Sequence, residues 1–319
     1  MAEDQGVNGD AWTDQACRLF EASGWHKIAA SNLDIKDTGG KSKGLDAIFS
    51  YKDGLLSSTN RGVFVEAKSW ATTSLSEKTL HGWIEGLTGK VSALRNSPGL
   101  LDTYQETQEL EISTGVIACY FHDTEKYPEF AATFKKWMSA VKVPYGHADR
   151  PFHPRVFVLE NYRLLWLASI LSSVKGWVAA AKEGERRELR FFYPSSTLQG
   201  NPVSDSLSMN IEYMFSGIVL AQGTSKIAAT DEFRVFNFAF YSGPLDAKGF
   251  QRLASALQTA NMIDNRNQLL IYKYRRENEE FRKIKPDVEK MLRDLGPKDV
   301  RINDMDSTAV MPAWVLNGE

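Results

Sequence analysis

With two cysteines and five histidines in 319 residues, and no apolar run long enough to cross a bilayer, several classes of protein drop out at once. Cys17 falls in a helical pattern and Cys119 in a strand pattern. There is no Cys-x-x-Cys pair and no histidine at ligand spacing, which excludes a disulfide scaffold and a zinc site of the usual Cys/His kind. Both thiols are expected to be reduced core residues. The longest apolar piece, 164–174, is bracketed by Arg163 and Lys175 and reads as a buried helix. Met1-Ala2-Glu3-Asp4-Gln5 has neither the basic start nor the apolar middle of a secretion signal, so the expected location is the cytoplasm, with no membrane partner. No Gly-x-Ser-x-Gly elbow marks an activated serine, which argues against covalent hydrolase chemistry. A formal net charge of −2 exerts no global pull on a polyanion, so any site for one must be local.

What is present is an alternation of helical and strand patterns. Residues 10–23 place Ala11, Trp12, Ala16, Leu19 and Phe20 three and four apart before Gly24, which predicts a helix with Glu21 in its last turn. Residues 44–51 and 62–68 read as strands, and Ser74-Leu75-Ser76-Glu77 reads as a capping box opening a helix to about Asn96. Strands at 115–121 and 155–160 alternate with helices at 127–141 and after Asn161. This order predicts an α/β fold with helices on the faces of a mixed sheet. Past the charged run 182–187 the texture turns β-rich at 189–193, 207–222 and 233–241. A helix after Asp246, a strand at 268–274 and a short helix after Pro286 then follow. The expected division is therefore a first domain at 1–183 and a smaller α+β domain at 184–319 that contacts a partner, a second copy or nucleic acid.

The chemistry concentrates in Val63-Phe64-Val65-Glu66-Ala67-Lys68. Side chains alternate along a strand, so Glu66 and Lys68 project from one face. Asp46, in Gly44-Leu45-Asp46-Ala47, lies on the preceding strand, where a hairpin-like pairing brings its carboxylate beside that of Glu66. Two neighbouring carboxylates repel, and a shared divalent cation relieves the repulsion. Mg2+, with Mn2+ as a substitute, suits an all-oxygen site and retains waters, one of which can act as nucleophile. Lys68 is placed to orient that water or to offset charge developing on a phosphate. A Glu-x-Lys tripeptide alone arises roughly once by chance in a chain this long. Here the apolar lead-in, the glycine-led strand carrying the aspartate and the capped helix that follows give it weight.

Asp46 followed by Glu66-Ala67-Lys68 on neighbouring strands, after an N-terminal helix, resembles the PD-(D/E)xK nuclease superfamily of restriction enzymes, junction resolvases and defence nucleases. The resemblance covers roughly residues 10–160. It implies a restriction-endonuclease-like fold with Asp46 and Glu66 as metal ligands, the Ala67 carbonyl as a further ligand and Lys68 as the catalytic lysine. Glu21 matches the extra acidic residue that some branches carry on the first helix. Leu45 stands where the signature has its nominal proline, and no clear glutamine motif follows Lys68, so the subfamily stays open.

Other signals are weaker. Gly39-Gly40-Lys41-Ser42 looks like the end of a P-loop but has Ile35 where a glycine is required and lacks a strand directly before it. The segment 41–44 is either a phosphate-touching loop or a solvated one. His81 is placed as a neighbour of the cleft or as an ordinary half-exposed residue. His147 and His153 flank Pro151 without ligand spacing and receive no role. The segment 273–285 mixes six basic with three acidic residues and reads as a solvated face, or as a phosphate-tracking surface with Tyr272 and Tyr274 for stacking. The leading expectation is a metal-dependent nuclease acting on DNA, in restriction or anti-phage defence. The competing one is a non-catalytic subunit that keeps the fold to bind nucleic acid or a protein. Cutting both strands calls for a homo-oligomer or a complex with a partner subunit, and the apolar strands 207–222 and 233–241 are either that contact or strands buried on both faces within the chain.

Overall fold

Helix, three strands, helix, strand is the order the chain builds first. In the computed structural model, which describes residues 3–54, 59–141, 154–194, 203–305 and 310–318, two units are distinguished. The first comprises residues 1–52, 58–164 and 309–319, and the second residues 53–57 and 165–308. The division falls at Leu164 and Leu165, within a helix and ahead of the charged run at 182–187. The reason is that the later turns of that helix belong to the core of the second unit.

The first unit contains α1 (Glu3–Ala22), β1 (His26–Lys36), β2 (Ser42–Lys52), β3 (Asn60–Trp70), α2 (Glu77–Leu94), α3 (Pro98–Thr103), β4 (Glu111–Phe121), α4 (Tyr127–Ala140) and β5 (Arg155–Leu159). The strands form one sheet in the order β1-β2-β3-β4-β5, antiparallel through β3 and parallel from β3 to β5. α1 covers one face: Phe20 meets Phe49 edge-on, and the Trp12 indole N–H donates to the Ala118 carbonyl at 2.8 Å. α2 covers the other, where Leu80, Ile84, Leu87, Val91 and Leu94 pack with Ile48, Phe64, Ile117 and Cys119. Gly115 permits that approach, since a Cβ there would stand 2.7 Å from Leu87 Cγ.

Three local expectations shift. Ser76, not Ser74, caps α2, its hydroxyl accepting the Thr79 N–H at 3.1 Å, because Thr72–Ser74 form a 3-10 turn held by Asp123. Ser97-Pro98-Gly99 does not simply end a helix, since Ser97 caps α3 with Pro98 in its first turn. β1 carries no clean alternation in sequence and went unpredicted; register shifts break it between Lys27 and Ala29 and between Ala30 and Leu33. Both cysteines are buried and free, and burial pushes Cys17 up to about 11 and Cys119 higher still.

Helix α5 (Asn161–Ala179) leads into the second unit, which continues with β6 (Glu185–Pro194), β7 (Val203–Ser206), α6 (Ile211–Met214), β8 (Ile218–Ile227), β9 (Glu232–Tyr241), α7 (Ala247–Thr259), β10 (Gln268–Lys273), α8 (Glu279–Asp294) and β11 (Asp299–Asp304). A last short helix, α9 (Ala313–Leu316), belongs to the first unit. The second sheet runs β11-β10-β9-β8-β6-β7, with β9, β10 and β11 parallel and joined by α7 and α8. Those helices bury Phe250, Leu253, Phe281 and Leu292 against Leu269, Ile271 and Ile302. On the other face Trp177 of α5 meets Phe236 and Phe238 edge-on. Both faces of the sheet thus carry helices within the unit, while Leu207 and Phe233 of the two apolar segments stay exposed. Part of 207–222 is helix α6 rather than strand, and Pro286 lies inside α8 rather than before it. Its ring is tolerated because Pro286 is exposed and the carbonyl it strands, that of Arg282, is on the solvent side. Among the described residues no helix is long and apolar enough to cross a membrane.

Candidate active site

Asp46 sits where β2 is released from both neighbours. Its pairing with β3 ends at Ala47 opposite Val65. On the other side Ala30 faces Ala47 and Leu33 faces Leu45, so β1 carries one extra residue opposite Asp46. That bulge is built by Ser31 and Asn32, with φ of 74° and 54°, a left-handed geometry that costs energy and recurs beside functional sites. Continuing the antiparallel register by one step sets Asp46 opposite Glu66 and on the same face.

The freed carboxylate turns to β3: Asp46 Oδ2 accepts the Ala67 N–H at 2.7 Å and lies 3.7 Å from Lys68 Nζ. Lys68 Nζ donates to Glu66 Oε2 at 2.6 Å. Asp46, Glu66 and Lys68 therefore converge on the α2 face of the sheet. A strand residue directs its N–H and C=O to the same side, so the Ala67 carbonyl also points toward β2 and Asp46.

The cluster contains a fourth member that the sequence reading missed. Lys90 of α2 reaches Glu66 Oε1, so each oxygen of the buried Glu66 carboxylate holds one ammonium. Lys90 flanks the apolar stripe of α2, where a lysine ordinarily snorkels to water. Nothing in the spacing separates it from Lys78, and only the sheet register shows that its flank overlies Glu66.

Burial pushes the Asp46 carboxyl above its ordinary value, with Glu66 adding to the rise and Lys68 and the Ala67 N–H offsetting part of it. For Lys68 burial acts to lower the pKa, but the Glu66 and Asp46 carboxylates outweigh it and hold the ammonium above its ordinary value. In the metal-free site Lys68 is thus held as an ammonium.

The residues fit a hard divalent cation. Two carboxylates and a main-chain carbonyl make an all-oxygen donor set, and magnesium needs only one or two carboxylates besides water and substrate oxygens. Asp46 Oδ1 has no hydrogen bond among the described residues. Among the described residues no group of three or more His, Cys, Asp or Glu converges, so the protein's side-chain ligands here would be the two carboxylates alone.

Glu21 is not brought to the cluster. It pairs with Lys27 at 3.1 Å and sits on α1, across the sheet from Asp46, Glu66 and Lys68. Glu21→Gln is accordingly expected to change cleavage by less than about twofold, the scale of an exposed pair; a loss of tenfold or more in a plasmid assay would return Glu21 to the site. His81 bonds the Trp137 carbonyl at 3.2 Å, and nine residues of helix put it on the flank of α2 opposite Lys90. Segment 41–44 belongs to the β1–β2 hairpin, not a strand-to-helix loop; Asp37 Oδ1 accepts the Gly39 and Lys41 N–H groups, and its Oδ2 lies 4.0 Å from Lys43. His147 and His153 lie outside the described residues. In 273–285, Lys273 is buried against Asp304, Lys285 pairs with Glu277, Tyr272 packs with Phe238 and Phe240, and Tyr274 with Trp166. Both tyrosines are thus half-buried and packed on aromatic neighbours.

An aspartate and a Glu-x-Lys delivered to one face of a mixed sheet by adjacent antiparallel strands define a PD-(D/E)xK nuclease domain. Residues 1–163, just over half of the chain, match the family model described as the GAPS4 protein PD-(D/E)XK nuclease domain, and the chain belongs to that family. No curated protein matches it. Among solved structures, the crystal structure of unliganded yeast PDE1 matches at 8% identity with a TM-score of 0.18, covering 88% of this chain and 89% of that one.

Proposed function

We propose that this protein is a divalent-metal-dependent nuclease that hydrolyses phosphodiester bonds of DNA. The observation that carries the proposal is the convergence of Asp46, Glu66 and Lys68, with Lys68 Nζ 2.6 Å from one carboxylate and 3.7 Å from the other. Asp46, Glu66 and the Ala67 carbonyl would hold Mg2+ or Mn2+, which supplies Lewis acidity and a lowered pKa for water at the reacting phosphate. Lys68, protonated throughout the neutral range, contributes positive charge where the phosphate becomes more negative. A role in restriction or anti-phage defence follows from the family resemblance. Cutting both strands would need two sites, in a homo-oligomer or with a partner subunit.

One assay tests these points together. Supercoiled plasmid incubated with the purified chain is expected to be nicked or linearised with Mg2+ or Mn2+. It should survive in excess chelator and be cut poorly with Ca2+, whose looser geometry positions water less well. Direct linearisation indicates paired sites, whereas slow nicking alone indicates a lone chain. Undiminished cleavage in chelator would overturn the metal-dependent mechanism.

A further inference from the structure

We propose that Lys90 is a substrate-phosphate residue of this active site, held on Glu66 Oε1 until a metal takes that carboxylate. The inference rests on the nuclease reading and extends it to a residue outside the Asp, Glu-x-Lys signature.

Three observations support it. Helix α2 does not need Lys90 for its packing, because Leu80, Ile84, Leu87, Val91 and Leu94 already form the buried stripe. The Lys90 side chain is about one quarter exposed, so its ammonium can reach a ligand in the cleft as well as Glu66. The charge count of the cluster is the third. Asp46 and Glu66 carry two negative charges, and Lys68 and Lys90 two positive ones. A divalent cation on the carboxylates leaves a surplus of two positive charges. A phosphodiester under attack by hydroxide carries two negative charges, one from each reactant. The four side chains plus one cation therefore neutralise the transition state of hydrolysis, and with Lys68 alone the balance falls one charge short. Charge matching in a partly dehydrated site is worth more than in open water.

Lys90 and a metal compete for Glu66, whereas Lys90 and the cation act together on a phosphate. Removing the ammonium should therefore move two affinities in opposite directions, a signature that a merely structural lysine does not give. The test uses the full chain and two variants. Lys90→Met keeps the aliphatic stem against α2, and Lys90→Arg keeps the charge. Mn2+ affinity is measured by titration calorimetry without nucleic acid. Affinity for a short DNA duplex is measured with Ca2+ across a salt series.

Lys90→Met is expected to bind Mn2+ severalfold more tightly than the parent chain and DNA about tenfold more weakly. The slope of log affinity against log salt should be shallower by about one, the loss of one phosphate contact. Lys90→Arg should recover most of the DNA affinity. If Lys90→Met leaves the salt slope unchanged while the parent binds both Mn2+ and DNA, the Lys90 assignment is wrong and the nuclease reading stands. If the parent chain binds neither Mn2+ nor DNA, both fall. Weaker Mn2+ binding by a Lys90→Met protein with a parental melting curve would show that Lys90 only props Glu66, and would likewise overturn the proposal.

Discussion

Lys68→Ala is expected to lower cleavage of plasmid DNA by about 10²–10³-fold, the range seen when one preorganised donor to a developing negative charge is removed. Lys68 pairs with both carboxylates, at 2.6 Å from Glu66 and 3.7 Å from Asp46. Those carboxylates hold its ammonium above the ordinary value in the metal-free site, so its removal deletes a positive charge from the cluster. Lys68→Arg should accordingly keep a measurable fraction of activity with the shape of the pH–rate profile unchanged, which a role as general base would not allow. Metal binding should survive Lys68→Ala, since a repelling charge has been taken from beside the ligands. The fold should survive too, because the side chain is one quarter exposed and lies outside the apolar cluster under α2. Parental turnover by Lys68→Ala in single-turnover cleavage, with an unaltered melting curve, would remove Lys68 from the mechanism.

The parts of this site that could be read in the sequence are those carried by short periodicities. Glu66 and Lys68 share a face because strands alternate, and an apolar run of Val63, Phe64 and Val65 declares its strand without ambiguity. Asp46 needed the further assumption that two strand patterns separated by a turn pair in register, and β2 and β3 do so. Lys90 was invisible for the opposite reason: its place depends on how α2 crosses the sheet, a long-range property fixed by Gly115 beneath Leu87 and not by anything near residue 90. β1 escaped because its bulges destroy the alternation that marks a strand, and the bulge that hid it is the one that frees Asp46. For Glu21 the sequence places the residue on the first helix but cannot tell which face of the sheet that helix covers. In the second unit the apolar strands could not show which helix covers them, because α5 reads as part of the first domain and only the structure places its Trp177 on Phe236 and Phe238.

Asp46→Asn is expected to abolish cleavage, by about 10³-fold or more as for residues that act as a unit, and at the same time to make the protein more stable at neutral pH. The two effects share one cause. Burial raises the Asp46 carboxyl above its ordinary value of 3.8, so the folded chain holds a proton there more readily than the unfolded chain does. Between the ordinary and the raised value the folded state binds more protons, and stability falls as the pH rises through that window. Below the ordinary value both states are protonated and the penalty vanishes; above the raised value it is fully present. Asparagine keeps the acceptor for the Ala67 N–H now made at 2.7 Å but carries no charge to dehydrate. Lys68 loses its partner at 3.7 Å and retains the closer one at 2.6 Å, so the loss is the smaller of its two attractions. Melting curves in chelator should therefore show Asp46→Asn above the parent at neutral pH, with the gap closing in acid. Added Mn2+ should raise the parent's melting temperature by linkage and leave the variant nearly unmoved. A variant less stable than the parent at neutral pH would show that the aspartate is not strained in the apo site. An equal response to Mn2+ would show that the metal binds elsewhere.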